Sequence, residues 1–186
     1  MVAKKPFLVG RQEFAALYGV QPTQVTQWVA RGVLDYDCAV IVSGSPYWLL
    51  SFVRGFGQMT PRPKALNETE LQRLVAEQEP GEWARSVEGL HPLLGLQEAT
   101  ALFGLSSQQN LSAVVRQGRF APADYQLSGS PLWLLDTLIK AAPEIQARSR
   151  TVVWAVVPQV EAALRQGRYH GPGSVIAPRG RAANAI

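Results

Sequence analysis

This chain predicts two tandem copies of one small, mainly helical unit that carries a β-hairpin. Three observations predict it. Residues 43–50 read Ser-Gly-Ser-Pro-Tyr-Trp-Leu-Leu and residues 128–135 read Ser-Gly-Ser-Pro-Leu-Trp-Leu-Leu, with seven of eight positions identical at a separation of 85. Upstream, Gln12-Glu13 aligns with Gln97-Glu98, and Ala16-Leu17-Tyr18-Gly19 with Ala101-Leu102-Phe103-Gly104. Val29-Ala30-Arg31-Gly32 aligns, shifted by one, with Val115-Arg116-Gln117-Gly118. The period exceeds the roughly 20–50 residues of stacked repeats, so the pattern reads as a duplicated domain.

The elements follow in order. Phe14, Leu17 and Tyr18 fall on one helical face, and Gly19 ends that helix because a left-handed C′ position favours glycine. Gln21-Pro22 opens a second helix, since proline at the first helical position loses no hydrogen bond. Val25, Trp28 and Val29 form its inward face and Gly32 closes it. Residues 38–42 are short, apolar and β-branched and read as a strand. Residues 43–46 are a turn by composition, Tyr47-Trp48 returns as a strand, and a third helix starts at about Leu49.

The second copy repeats this order. Its first helix runs from about Gln97 to Phe103, and Ser106 or Ser107 caps the second. Leu111, Val114 and Val115 face inward, Gly118 ends the helix, and a third helix spans about Leu134 to Ala142. Between the copies, residues 60–64 read as a stiff spacer, and Asn67 three residues before Glu70 signals a helix start. Leu71, Leu74 and Val75 predict that this helix packs on a module. The expected layout is a first module over 1–60, a linker with an acidic helix over 61–90, a second module over 91–145, and a C-terminal helix with a flexible basic tail over 146–186. Residues 165–169 faintly echo residues 116–120, which raises a third, degenerate copy as an alternative.

Bulk properties narrow the function. The net charge is +4, with seven Lys/Arg against three Asp/Glu in residues 1–64, two against six in 65–90, and nine against five in 91–186. Two basic units joined by an acidic connector suit a polyanionic partner. The single cysteine, Cys38, excludes an intramolecular disulfide and fits a reducing cytoplasm. It reads as a small apolar residue at the start of a strand. No apolar run reaches the roughly 18 residues needed to cross a membrane, so no membrane partner is expected. His91 and His170 make no catalytic case, and no P-loop, nucleophile elbow or metal-ligand cluster occurs. No enzyme activity, cofactor or metal is expected.

Each copy resembles the winged helix-turn-helix domains of the MerR and excisionase type. The resemblance rests on a short helix ending in Leu-Tyr-Gly-Val or Leu-Phe-Gly-Leu, a second ending in Arg-Gly or Gln-Gly, and a hairpin reading Ser-Gly-Ser-Pro-x-Trp. It covers both copies but not the connector or tail. It implies a mainly α fold with small β-hairpin wings, as two tandem winged helix-turn-helix domains. The chain lacks the long coiled-coil helix that such regulators often add.

In that fold the second helix lies in the major groove, which is about 12 Å wide. The candidate DNA-binding residues are then Pro22, Thr23, Thr26, Gln27 and Arg31 in the first copy, and Gln108, Gln109, Asn110, Ser112 and Arg116 in the second. Gln and Asn can bond adenine twice, Thr methyls can meet thymine methyls, and Arg can hold phosphate or guanine. The wing serines Ser43, Ser45, Ser128 and Ser130 would touch adjacent backbone or minor groove, while Trp48 and Trp133 pin the wings by packing.

The expectation is a sequence-specific binder of double-stranded DNA, either a monomer acting as an internal pseudo-dimer or a homodimer. It would be cytoplasmic and nucleoid-associated, in a role such as transcriptional regulator, excisionase-like factor, or plasmid or phage accessory protein. The outer faces differ, so the operator should be asymmetric. The alternative is a protein–protein interaction scaffold reusing the fold, suggested by recognition faces with no run of Arg or Lys.

Overall fold

The computed structural model describes residues 5–176. The outermost residues of the expected tail, 177–186, with Arg179 and Arg181, lie outside the described residues. The described chain contains eight α-helices and short strands, mostly in small antiparallel sheets. The first half begins with β1 (Lys5–Pro6) and β2 (Leu8–Val9), then α1 (Arg11–Leu17) and α2 (Pro22–Ala30). The hairpin of β3 (Ala39–Val42) and β4 (Ser45–Leu49) leads into α3 (Leu50–Met59) and α4 (Glu68–Gln78). After β5 (Gly81–Glu82) the order from β2 recurs: β6 (Leu93–Leu94), α5 (Leu96–Leu102), α6 (Gln108–Arg116), β7 (Tyr125–Leu127), β8 (Ser130–Leu134), α7 (Leu135–Arg148) and α8 (Pro158–Arg165).

Local chemistry places these elements where the sequence predicts them. Pro22 starts α2, the Ser107 hydroxyl accepts from the Gln109 amide at 3.1 Å, and Asn67 Oδ1 accepts from the Glu70 amide at 3.1 Å. The hairpins close through two-residue turns in which both residues have positive φ: Ser43 at 48° and Gly44 at 72°, Ser128 at 48° and Gly129 at 75°. Such turns match the right-handed twist of the flanking strands. Pro46 lies in β4 opposite Ile41, beyond the Leu49 and Trp48 positions that pair with β2, so its missing N–H breaks no ladder.

Three features depart from expectation. The short β2 and β6, where no strand was expected, complete three-stranded sheets ordered β2-β4-β3 and β6-β8-β7. The helix α7 continues through Pro143 to Arg148 rather than stopping at Ala142, because Ile145 is buried in the core and holds the last turns in place. The third departure is α8. The Val157 amide, at its N-cap, donates to Leu102 O at 2.8 Å, as the Asn67 amide, at the N-cap of α4, donates to Leu17 O at 2.8 Å. The helix α8 is therefore the fourth helix of the second half, equivalent to α4, and not the start of a third copy.

Each half has its own core. Phe14, Trp28, Trp48 and Phe56 join Leu71 and Leu74 of α4 in the first. The segment expected as linker thus completes the first core, as its apolar face predicts. Phe103, Phe120, Trp133, Trp154 and Leu164 form the second, so residues beyond 145 complete that one.

A third core joins the halves. Strand side chains alternate between faces, and here the alternation splits β2, β3, β4, β6 and β8 between two cores. Val9 and Trp48 face the first core while Leu8, Val42, Tyr47 and Leu49 face outward. Leu94 and Trp133 face the second core while Leu93, Leu127, Leu132 and Leu134 face outward. The outward sets meet in one buried cluster with Tyr125. Burying such a side chain fully stabilises by about 1.5–3 kcal/mol before chain ordering is counted. Sheets covered on both faces explain the continuous apolar runs at 47–50 and 132–135, which alternation alone would not require.

Candidate nucleic-acid interface

The second helix of each half is amphipathic and presents one polar face to solvent. In α2, Val25 and Trp28 are buried, while Pro22, Thr23, Thr26 and Gln27 are exposed, as is Arg31 at its C-cap. In α6, Leu111 is buried, Gln108, Gln109, Asn110 and Arg116 are exposed, and Ser112 is half-buried. All ten helix positions singled out from the sequence therefore lie on or beside the solvent face.

Beside α2 the chain forms a concavity of about 320 Å³. It gathers six of the expected residues: Pro22, Thr23 and Thr26 from α2, Ser45 from the first hairpin, and Ser128 and Ser130 from the hairpin of the other half. It also holds Arg11, whose Nε is buried without a hydrogen-bond partner. Sequence reasoning missed Arg11, because its counterpart in the second copy is Leu96 and the repeat gave no reason to single it out. Tyr47 closes the floor. Burial raises its phenol above the ordinary range, partly offset by hydrogen bonding to Ser130.

The first serine of each hairpin turn bonds the other half. The Ser128 amide and hydroxyl both donate to Glu13, at 2.7 Å each, and the Ser128 hydroxyl accepts from the Gln12 amide at 3.1 Å. The Ser43 amide and hydroxyl donate to Glu98 at 2.7 and 2.6 Å, and the Ser43 hydroxyl accepts from the Gln97 amide at 3.0 Å. Ser43 and Ser128, expected at the hairpin tips, thus form clasps between the halves. Each supplies the N-terminal cap that Gly10 and Gly95 lack a side chain to provide. Glu13 and Glu98 complete the cap by accepting from the Gly10 and Gly95 amides, at 3.0 Å each. A Cβ on Gly10 would lie 2.2 Å from Ser128 Oγ, and one on Gly95 2.3 Å from Ser43 Oγ.

Basic side chains flank both second helices. Lys64 Nζ sits 6.0 Å above the Trp28 ring of α2. Beside α6, Arg119, Arg148 and Arg150 line a groove of about 570 Å³ with Val114, Gln117 and Trp154. Arg148 pairs with Glu144, whereas Arg119 makes no ion pair among the described residues. These cations were not singled out in the sequence, because Lys64, Arg119 and Arg150 come from the loops that follow α3, α6 and α7 and Arg148 from the last turn of α7, outside the patterns of α2 and α6.

The remaining polar and reactive groups read as structural. Trp48 and Trp133 are fully buried, and their indole N–H groups donate to Asp35 O and Ala121 O at 2.9 Å each. Burial, reinforced by Asp35 and Asp37, raises the Cys38 thiol, which disfavours the reactive thiolate. Lys5 donates to Asp124 O at 2.6 Å, and burial lowers its pKa against the pull of Asp124. Among the described residues there is no group of three His, Cys, Asp or Glu side chains placed to hold a metal, and no helix long and apolar enough to cross a membrane. Comparison with known protein families, with curated proteins and with solved structures returned no match to this chain.

Proposed function

We propose that this chain is a non-enzymatic, sequence-specific binder of double-stranded DNA, and that its halves are tandem winged helix-turn-helix modules of the MerR and excisionase-like kind acting as an internal pseudo-dimer. The observation that carries the reading is the pair of equivalent helices, α2 and α6. Each is anchored by one apolar stripe, exposes Thr, Gln, Asn or Ser, and is flanked by Lys or Arg. Amide and hydroxyl side chains can read base edges in the major groove, and the flanking cations can hold phosphates without reading sequence. Arg11, with an unpartnered Nε beside α2, adds a donor next to the reading face.

The reading makes transcriptional regulation, excisionase-like architecture, and plasmid or phage accessory work the candidate roles. The test is selection from a random duplex pool with the purified chain, followed by titration of the enriched duplex at several salt concentrations. Enrichment of a bipartite motif, with log affinity falling by about one unit per log unit of salt for each phosphate held, supports it. An unshifted pool at physiological salt overturns it and leaves the protein-interaction scaffold as the alternative.

A further inference from the structure

We infer that the DNA site is an inverted, imperfect repeat, its halves facing each other across a local two-fold axis, rather than two direct copies of a half-site. The inference rests on the DNA-binding reading above.

In a two-fold contact, if residue i of one partner touches residue j of the other, then j of the first touches i of the second. Ser43 bonds Glu98 and Ser128 bonds Glu13; these are the same two positions exchanged at a separation of 85. The same exchange relates Gln97 with Ser43 to Gln12 with Ser128. The shared core obeys it too, because Leu8 and Leu93, Val42 and Leu127, and Leu49 and Leu134 occur there as counterpart pairs. A head-to-tail tandem would show one of these contacts without its exchange. Here the covalent duplication has the contact pattern of a symmetric dimer.

A two-fold axis places α2 and α6 at equal height along it and turns one against the other by half a revolution. The concavity beside α2 contains Ser128 and Ser130 of the opposite hairpin, so the N-terminal outer face of α2 opens beside the other half. The two helices then present the same end to opposite strands of one duplex, and the half-sites they read run in opposite directions. Two-fold readers of this kind place half-site centres about 10 base pairs apart, or a multiple of that. The repeat is imperfect because the faces differ. With α6 numbered 86 beyond α2, Thr23 corresponds to Gln109, Thr26 to Ser112, and Gln27 to Ala113.

The experiment makes the two faces alike and reads the symmetry of the selected DNA. The full chain carrying Gln109→Thr, Ser112→Thr and Ala113→Gln gives α6 the side chains that α2 carries at Thr23, Thr26 and Gln27. A second full chain carrying Thr23→Gln, Thr26→Ser and Gln27→Ala does the reverse; its changes are all at exposed positions, so it keeps the test open if the first variant fails to fold. Each is put through the random-duplex selection beside the unaltered chain. The expected result is that each variant enriches a near-palindrome, with the two palindromes differing in sequence. A direct repeat from either variant overturns the inversion and leaves DNA binding standing. Failure of the unaltered chain to enrich any motif overturns the DNA-binding reading itself.

Discussion

The two halves share one backbone plan and fill it differently. The first packs rings carried by α1, α2, α3 and β4, with Phe14 5.2 Å from Phe56, 5.9 Å from Trp28 and edge-on to Trp48 at 5.4 Å. At the aligned positions the second has Ala99, Val114 and Ala141 in place of Phe14, Trp28 and Phe56. The lost volume is restored from elsewhere. Phe120 replaces Leu34, and Trp154 inserts from the segment before α8, 5.5 Å from Phe103 and 5.7 Å from Phe120. Interiors tolerate such exchange when total volume is kept. The second half therefore depends on chain beyond its third helix more heavily than the first does.

The largest effect expected from breaking this comparison is in Trp154→Ala. Removing a buried tryptophan should destabilise by about 3–5 kcal/mol, and denaturant unfolding with hydrogen exchange should place the loss in α5–α8. A cost below about 1 kcal/mol would mean the second half closes without its borrowed ring. Next come the clasps. Gly10→Ala and Gly95→Ala each drive a Cβ into a serine hydroxyl and should cost about 1–3 kcal/mol of global stability. The two clasps differ in their surroundings, because the Gly44 amide donates to Gly173 O and Gly173 packs against Glu98 and Ser43. The Ser43 clasp is therefore covered by the C-terminal segment, while among the described residues nothing lies within 4 Å of a Cβ built at the equivalent Gly129. Gly95→Ala should cost more than Gly10→Ala, and equal melting shifts would show that the cover contributes nothing.

Smaller effects concern DNA. Thr26→Ala with Gln27→Ala should relax base choice in one half-site by about 1–3 kcal/mol, measured by repeating the selection. Arg11→Leu, which gives the first half the residue of the second, should weaken all sequences alike and lower the salt slope by about one. Arg31→Ala and Arg116→Ala should do the same. If all these variants changed base preference alike, the division between reading and holding residues would fail.

Most of the local fold was legible. The stripe of Val25 and Trp28, the proline at the start of α2, the caps at Ser107 and Asn67, and the glycines after the helices all act within one helical turn of themselves. Their physics is complete in a short window of sequence. The polar faces of α2 and α6 were legible for the same reason, since a helix that buries one stripe must expose the opposite one.

The clasps were hidden because Ser43 and Glu98 are 55 residues apart and Ser128 and Glu13 are 115 apart. A serine in a Ser-Gly turn reads as an exposed tip until the partner helix end that needs its hydroxyl is known. Arg11 beside α2 and the role of α8 were hidden likewise, because neither leaves a periodic trace. The duplication itself was written in the chain, residue against residue. The two-fold relation between the copies was not, because sequence periodicity records which elements repeat, and only the third core and its hydrogen-bonded ends set how one copy turns against the other.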